Sequence, residues 1–166
     1  MLEPFDVLFE TDLPSYSLPE ELRRIYGRLG FAEHVVYSNF VSSLDGVVTV
    51  GSGVSAGSVI SAKHPGDRFL MALLRACADA VVIGAGTMRA TPGHIWTPAH
   101  VFPDLAAEFA VLRKSLGLSY EPRLVLLTAT GDLDFKHPAL VKGAVILKEW
   151  LALGSISALV PPRQVW

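Results

Sequence analysis

The sequence predicts an α/β fold in which helices flank a mostly parallel central sheet. The run Ala80–Ile83 is short, apolar and rich in β-branched residues, which is typical of a strand buried on both faces. An amphipathic helix leads directly into that run, so the two belong to one crossover unit. Hydrophobic residues make up 51% of the chain and charged residues only 18%, a balance that suits a sheet covered by helices.

Charge and cysteine content exclude several classes of function. A formal net charge of −2, with no basic patch, argues against binding to nucleic acid or to an anionic membrane. The single Cys77 rules out an internal disulfide and a multi-cysteine metal site, and we expect it in the core. The scattered histidines predict no metal site. With neither a signal peptide nor a membrane span in the pattern, we expect a cytoplasmic protein with a small-molecule substrate.

The first third of the chain predicts a helix followed by a strand. Residues 1–33 form an acidic lead-in with a packing role, in which a helix runs from Leu18 until Gly30 ends it. The segment His34–Ser42 predicts the first strand, with polar residues at its carboxyl end, where open α/β sheets bind ligands. Asp45-Gly46 is also ordinary turn chemistry, and these two residues alone favour that interpretation. The small residues from Gly51 to Ser58 form either a loop over a site or a plain surface loop.

The middle of the chain contains the clearest helix and the most suggestive turn. Ser61–Ala78 predicts a helix whose first turn suits Pro65 and Asp67. After the strand Ala80–Ile83, Gly84 and Gly86 allow a tight turn, and Thr87 is predicted to cap the helix that follows. Bare amides at that helix start, with Arg89 close by, would bind an anion such as a phosphate. A turn that is tight for structural reasons alone explains the glycines equally well.

The remaining elements complete the predicted sheet. Ala90–His100 predicts a loop, in which His94 and Trp96 either border a pocket or are inert surface residues. The spacing of apolar residues predicts a helix over Phe102–Leu116. A third strand is predicted over Arg123–Thr130 and a fourth over Ala144–Leu147.

Two separated segments resemble the pyrimidine reductase domain of bacterial riboflavin biosynthesis, the C-terminal half of the bifunctional deaminase–reductase. They are Asn39-Phe-Val-Ser-Ser-Leu-Asp-Gly46 and the stretch from Asp67 to Ala90, which includes Asp-Ala-Val-Val-Ile-Gly-Ala-Gly-Thr-Met-Arg. The similarity runs from about His34 to about Leu147. It implies a three-layer dihydrofolate-reductase-like fold and hydride transfer from NADPH to a phosphoribosylamino-pyrimidine or a related small molecule.

The resemblance also implies a set of site residues. Asn39 and Asp45 would be the catalytic residues that orient substrate and nicotinamide, and Ser61 would contact the substrate. At the adenosine side, Thr128 and Thr130 would bind the ribose or its 2′-phosphate, although threonines at a strand end are also common for β propensity alone. The other residues implied to bind NADPH are Ser42, Leu44, Gly46, Gly84, Ala85, Gly86, Thr87 and Arg89.

The chain departs from the family pattern in two places. No acidic residue stands between Arg89 and Pro103, where the family usually has one, which leaves the exact substrate open. No Gly-Gly pair occurs, so the family's second glycine turn, Glu-Gly-Gly-Pro, is missing, and the similarity fades after Leu147. We therefore divide the chain into a lead-in (1–33), an incomplete reductase-like domain (34–147) and a divergent tail (148–166).

Two functional hypotheses follow, with a third that is weaker. The first is a reductase whose last strands are lost through truncation or supplied by a second chain, as a homodimer or with another partner. The second is a non-catalytic remnant that binds a nucleotide or acts as an interaction protein. An unrelated Rossmann-like module is disfavoured by the missing third glycine and by the Ser-Leu-Asp-Gly segment.

Overall fold

A parallel three-stranded sheet is the centre of the protein in the computed structural model, which describes residues 2–8, 12–32, 34–48, 51 and 56–148. The helices are α1 (Glu20–Tyr26), α2 (Ala56–Ile60), α3 (Pro65–Cys77), α4 (Ala85–Ala90), α5 (Pro98–Val101), α6 (Ala106–Ser115), which a 3₁₀ turn over Pro103–Leu105 precedes, and α7 (Pro138–Val141). The strands are β1 (Ser15–Tyr16), β2 (Leu29–Gly30), β3 (Ala80–Gly84), β4 (Arg123–Thr128) and β5 (Val145–Lys148). This is the α/β class that the sequence predicts.

Within the described residues, helices cover one face of the sheet. Its order is β3-β4-β5, and both pairs are parallel, with Ile83, Leu126 and Ile146 side by side. Met88 of α4 and Ala139 of α7 pack on the face that contains Leu126. On the opposite face Val82, Leu127 and Val145 remain 56%, 45% and 46% exposed. The expectation that Ala80–Ile83 is buried on both faces therefore holds for one face only.

A second, separate core lies among the helices. It is formed mainly by α1, α3 and α6, with Phe69, Leu73 and Leu112 completely buried. α3 and α6 pack their apolar faces against each other in this core. These two helices therefore do not cover the second face of the sheet. Cys77 lies in the same core, as expected, and burial raises the pKa of its thiol to about 12. A thiol that stays protonated is a packing residue and a poor nucleophile.

The longest helix begins later than its apolar pattern predicts. α3 starts at Pro65, where the ring nitrogen Nδ1 of His64 accepts a hydrogen bond from the amide of Gly66 at 3.1 Å. The two residues before this cap, Ala62 and Lys63, have φ of 49° and 57°. Left-handed backbone cannot continue a helix, so the predicted helix Ser61–Ala78 forms only from Pro65 to Cys77, and α2 has already ended at Ile60. Pro65 and Asp67 occupy the first turn of α3 as predicted.

The prediction of a first strand over His34–Ser42 is wrong. Residues 34–42 form neither strand nor helix, and Val36 and Phe40 are 89% and 80% exposed. A strand needs a partner for its backbone groups, and within the described residues β3 pairs only with β4. The segment is instead held to α3 by the hydroxyl of Tyr37, which donates a hydrogen bond to the carbonyl of Leu74. The apolar pattern of these residues resembles that of a strand, but the pairing that would make it one does not form.

The other predicted helices and strands agree with their predictions apart from their ends, whereas β1, β2, α2 and α7 were not predicted, and α2 begins within the predicted loop Gly51–Ser58. The first helix stops at Tyr26 because Gly27, at φ 83°, ends it before Gly30, and Leu22 and Ile25 give it the expected packing role. The predicted loop over Ala90–His100 contains the start of the short helix α5. Across the part of the chain that the structure describes, no helix is both long and apolar enough to cross a bilayer.

A buried arginine joins the helical core to the sheet. Arg113 of α6 is only 1% exposed, and its Nη1 donates to the carbonyls of Arg75, Ala76 and Ala78 at 3.1, 3.2 and 2.8 Å. These carbonyls lie at the end of α3, where helical acceptors lack an internal partner. Its Nε donates to the carbonyl of Ser119 at 2.7 Å. One side chain therefore fixes the end of α3, immediately before β3, against the end of α6.

Replacing this arginine should destabilise the whole fold. We expect Arg113→Met to lower the free energy of unfolding by roughly 3 kcal/mol, because several buried carbonyls lose their donors together. Arg113→Lys should lose less, since an ammonium can still reach some of them. The measurement is chemical denaturation, with Lys114→Met on the exposed side of the same helix as the control. Equal stability of the two methionine variants would contradict this role.

Candidate functional site

The carboxyl ends of the three parallel strands lie at one edge of the sheet. Gly84, Leu127 and Leu147 are side by side in register, so the segments that follow β3 and β4 leave the sheet at the same level. α4 follows β3 directly, and a turn over Thr128–Asp132 follows β4. This is the edge at which open α/β sheets bind their ligands.

The two glycines leave open space beside the backbone. Gly84 has φ −88° and ψ 153°, which any residue adopts, and Gly86 does not have a positive φ. A Cβ added to either glycine would meet no atom within 4 Å. The fold itself therefore does not require glycine here, whereas a ligand lying against the backbone would.

The start of α4 differs from its prediction. Gly84 is the residue before the helix, and no side chain caps it. Thr87 is the third residue of α4, so the prediction that it caps the helix is wrong. The reason is that α4 begins at Ala85, directly after the strand, and leaves no residues for a separate cap. Thr87 is exposed, and its carbonyl accepts a hydrogen bond from the hydroxyl of Thr91 at 2.8 Å.

The turn after β4 is shaped by its two threonines. The hydroxyl of Thr128 accepts a hydrogen bond from the amide of Gly131 at 3.0 Å, and that of Thr130 accepts one from the amide of Asp132 at 3.2 Å. Gly131 has φ 80°, a conformation that favours glycine. Thr128 is buried and Thr130 is exposed. Thr130 is therefore the one of the pair whose hydroxyl faces solvent and can reach a ligand.

Arg89 connects the two segments of this edge. Its side chain is exposed, and its Nη1 lies 3.5 Å from the carbonyl oxygen of Asp132. Its guanidinium makes no ion pair with any described carboxylate. The structure therefore brings Gly84–Arg89 together with Thr128 and Thr130 around an arginine whose charge is not neutralised by a neighbour.

The segment that was expected to complete the site has other contacts. Asp45 accepts a hydrogen bond from the hydroxyl of Ser43, which lowers the pKa of its carboxyl. The amide of Gly46 donates to the carbonyl of Ser43 at 2.9 Å, and Gly46 has φ 84°. These are the contacts of an ordinary turn.

Among the described residues, no hydrogen bond joins this turn to Gly84–Arg89 or to the turn after β4. Asn39, Ser42, Leu44, Asp45 and Gly46 are all exposed. The contacts of their segment run to α3, through Tyr37, and to Gly57, through Val41. Those of Gly84–Arg89 run to β4 and to the turn that follows it. The hydrogen bonds of the described residues therefore hold the predicted site residues in two sets, one on the turn at Asp45 and one at the sheet edge.

Ser61 lies just beyond α2. Its hydroxyl is buried and has no hydrogen-bond partner among the described residues. A buried hydroxyl without a partner is uncommon, because its desolvation is not compensated. The position implied to contact substrate therefore has a polar group available for a ligand.

Sequence reasoning missed a cluster of basic side chains between α3 and α5. Arg75 is half-buried, and its Nη1 lies 3.0 Å from Nε2 of His94. The His94 ring lies 5.0 Å from those of both Trp96 and His100. Arg68, seven residues before Arg75, donates to the carbonyl of Val101 at 2.7 Å. We call Arg68, Arg75, His94 and His100 the basic cluster; two arginines seven apart on one helix face were its signal in the sequence.

Positive charge in the basic cluster is not balanced by a described carboxylate. Burial lowers the pKa of Arg75 to about 10. Burial first, and then the charges of Arg75, His100, His137 and Arg68, lower the pKa of His94 to about 4. Burial and basic neighbours lower the pKa of His100 as well. The two arginines keep their positive charge at neutral pH, and an unbalanced pair of cations favours a bound anion.

The chain as a whole can now be compared with known proteins. It matches the family described as the RibD C-terminal domain over residues 34–151. The chain belongs to this family. No curated protein and no solved structure gave a significant match.

Membership of the RibD C-terminal domain family confirms the resemblance to the pyrimidine reductase of riboflavin biosynthesis. Both parts of the site, from Asn39 to Thr130, lie inside the matched span, as does the basic cluster. Among the described residues, no group of histidine, cysteine, aspartate and glutamate is arranged to hold a metal ion. The RibD C-terminal domain therefore offers glycines, hydroxyls and arginines at these sites.

The basic cluster should make stability depend on pH. His94 has an ordinary pKa of 6.5, and this falls to about 4 in the folded protein, so between these values only the unfolded chain binds the proton. Stability present above pH 6.5 is therefore lost as the pH falls towards 4. We expect His94→Asn, which cannot ionise, to flatten this dependence in denaturation experiments between pH 4 and pH 8. Identical slopes for variant and wild type would contradict the burial of a neutral His94.

Proposed function

We propose that this protein is an NADPH-dependent reductase of the riboflavin-biosynthesis type, which transfers a hydride to a phosphoribosylamino-pyrimidine or a closely related small molecule. Family membership carries this proposal. It is supported by the grouping of Gly84–Arg89 with the turn after β4 at the ligand-binding edge of the sheet.

The residues at this edge suit the phosphates of NADPH. Gly84 and Gly86 leave room for a phosphate to approach the backbone, and Arg89 can donate to its oxygens in the planar geometry that phosphate accepts. Thr130 can donate to the ribose or to its phosphate. When bound, NADPH supplies the hydride, so the protein has to bind and orient two rings and needs no strong nucleophile.

The basic cluster suits the phosphate of the substrate. Arg75 is half-buried and faces the neutral His94, so a bound phosphate would supply the negative charge that the described structure lacks there. The unpartnered hydroxyl of Ser61 is proposed to contact the same substrate. A phosphorylated substrate is therefore favoured over an uncharged one.

Asn39 and Asp45 are proposed to orient the pyrimidine and the nicotinamide, with Ser42, Leu44 and Gly46 beside the cofactor. Their turn is exposed and is held mainly by its own hydrogen bonds and by Tyr37 on α3. Bringing it to the sheet edge requires the turn to move when the ligands bind. Movement of an exposed turn with few tertiary contacts costs little free energy.

A second candidate function is nucleotide binding without turnover. One observation favours it: the carboxylate of Asp45 accepts a hydrogen bond from the hydroxyl of Ser43 within its own turn. In that case the protein would act as a nucleotide-binding or interaction protein. Under either function we propose a cytoplasmic protein that works as a homodimer or with a partner chain. The exposed face around Val82, Leu127 and Val145 supports association.

The first test concerns the cofactor. Arg89→Ala should weaken NADPH binding by about 10-fold or more and NADH binding by less, because a charge-assisted hydrogen bond to the 2′-phosphate is lost. Dissociation constants come from quenching of tryptophan fluorescence. Arg123→Ala is the matched control, since Arg123 is an exposed arginine at the opposite end of β4. Equal losses of affinity for both cofactors would contradict the proposal that Arg89 binds the 2′-phosphate.

The second test separates the two candidate functions. Purified protein is given NADPH and the phosphoribosylamino-pyrimidine, and NADPH oxidation is followed by absorbance. A reductase should turn over, and Asp45→Asn should reduce kcat by about 100-fold or more if Asp45 positions the reacting rings. The affinity of Asp45→Asn for NADPH should stay near that of the wild type, because Asp45 forms its hydrogen bond with Ser43 and not with the residues proposed to bind the phosphates. Binding of NADPH without turnover would support the second candidate function instead.

A further inference from the structure

We propose that Lys148, at the end of β5, is a specificity-determining residue that binds the 2′-phosphate of the dinucleotide together with Arg89. The inference rests on the proposed function and adds to it a residue that the family motifs do not include. The resemblance already implies that Thr128 and Thr130, at the end of β4, bind the ribose or its 2′-phosphate, and the inference adds Lys148 to that place.

The register of the sheet places Lys148 at the candidate site. Lys148 pairs with Thr128 across β4 and β5. Partners in a parallel pair direct their side chains to the same face of the sheet. That face also contains Leu126, which α4 covers, and Arg89 belongs to α4. Lys148, Thr128 and Arg89 therefore lie on the same side of the sheet at its carboxyl edge.

The two cations lie against adjacent residues of one turn. The Lys148 side chain lies over Gly131, with its Cδ and Nζ 3.5 and 3.8 Å from the position that a Cβ of Gly131 would take. Arg89 Nη1 lies 3.5 Å from the carbonyl oxygen of Asp132. The exposed hydroxyl of Thr130 belongs to the same turn. A phosphate between the cations would thus have a guanidinium, an ammonium and a hydroxyl as donors.

The charges of this group are available for an anion. Within the described residues, neither Lys148 nor Arg89 forms an ion pair, whereas Lys142 pairs with Glu121 at 2.7 Å. Arg89 meets the backbone carbonyl of Asp132 and forms no ion pair with its carboxylate. A dianion such as the 2′-phosphate gains from both cations, while an unmodified ribose hydroxyl gains from neither.

A simpler role is that Lys148 only covers the turn with its aliphatic stem. In that role the methylene groups would matter and the charge would not. Lys148→Met keeps an unbranched stem of similar length and removes the ammonium. The effect of this variant on binding therefore separates the two roles, and Lys148→Arg tests whether charge alone restores binding.

The experiment measures dissociation constants of NADPH, NADH and 2′,5′-ADP for the full chain by calorimetry. We expect Lys148→Met to weaken NADPH and 2′,5′-ADP by about 10-fold and to leave NADH unchanged, since one charge-assisted contact is lost. Lys148→Arg should bind like the wild type. Lys142→Met is the matched control at the opposite edge of the sheet, and it should not alter the preference. The preference should also shrink as salt is raised.

The possible outcomes test the role of Lys148 separately from the proposed function on which it rests. Suppose that the wild type binds and oxidises NADPH and that Lys148→Met keeps the same preference for NADPH over NADH. This result overturns the role of Lys148 and leaves the proposed function intact. Equal weakening of NADPH and NADH overturns that role too, because Lys148 would then serve a different part of the molecule. A wild type that binds no dinucleotide overturns both.

Discussion

The buried guanidinium of Arg113 is the interaction on which the arrangement of the molecule depends. It donates to carbonyls at the end of α3 and to the segment after α6, and so joins the helical core to the start of the sheet. β3 begins two residues after the last of these carbonyls, and the glycine turn begins where β3 ends. The position of that turn relative to the helices therefore follows from a single set of buried hydrogen bonds, each of which is costly to leave unmade.

The two parts of the site rest on different supports. Arg89 and Thr128 are placed by strands and by a helix packed on the covered face of the sheet, where parallel register fixes their relation. Asp45 is placed by a turn that bonds mainly with itself. Elements with few tertiary contacts open at low free energy, while a packed sheet opens only with the whole domain. The residues proposed to bind phosphate are therefore held by packed elements, and those proposed to orient the rings are held by a locally bonded turn.

Elements with strong local signals were predictable, and those that depend on distant partners were not. β3, β4 and β5 carry β-branched apolar runs with turn residues on either side, so their positions follow from the sequence alone. His34–Ser42 carries a similar pattern, yet a strand also needs a partner edge, which the pattern does not encode. α3 starts only after Ala62 and Lys63, whose backbone is left-handed. The apolar pattern of this segment does not indicate that conformation.

The same distinction holds for the site. The glycine turn and Arg89 are adjacent in sequence and could be recognised together. Arg75 and His94 come from separate elements, as do Arg89 and Lys148, so only the fold shows that they are neighbours. The Asp45-Gly46 pair was itself a local turn signal, and the structure forms that turn.

The sheet face that the described residues leave exposed has a thermodynamic consequence. Because the heat capacity change of unfolding follows the apolar area that folding removes from water, Val82, Leu127 and Val145 contribute less to it than fully covered strand residues would. The stability curve should accordingly be flatter with temperature, and the denaturant slope shallower, than chain length alone suggests. Covering that face would increase both the curvature of stability with temperature and the denaturant slope.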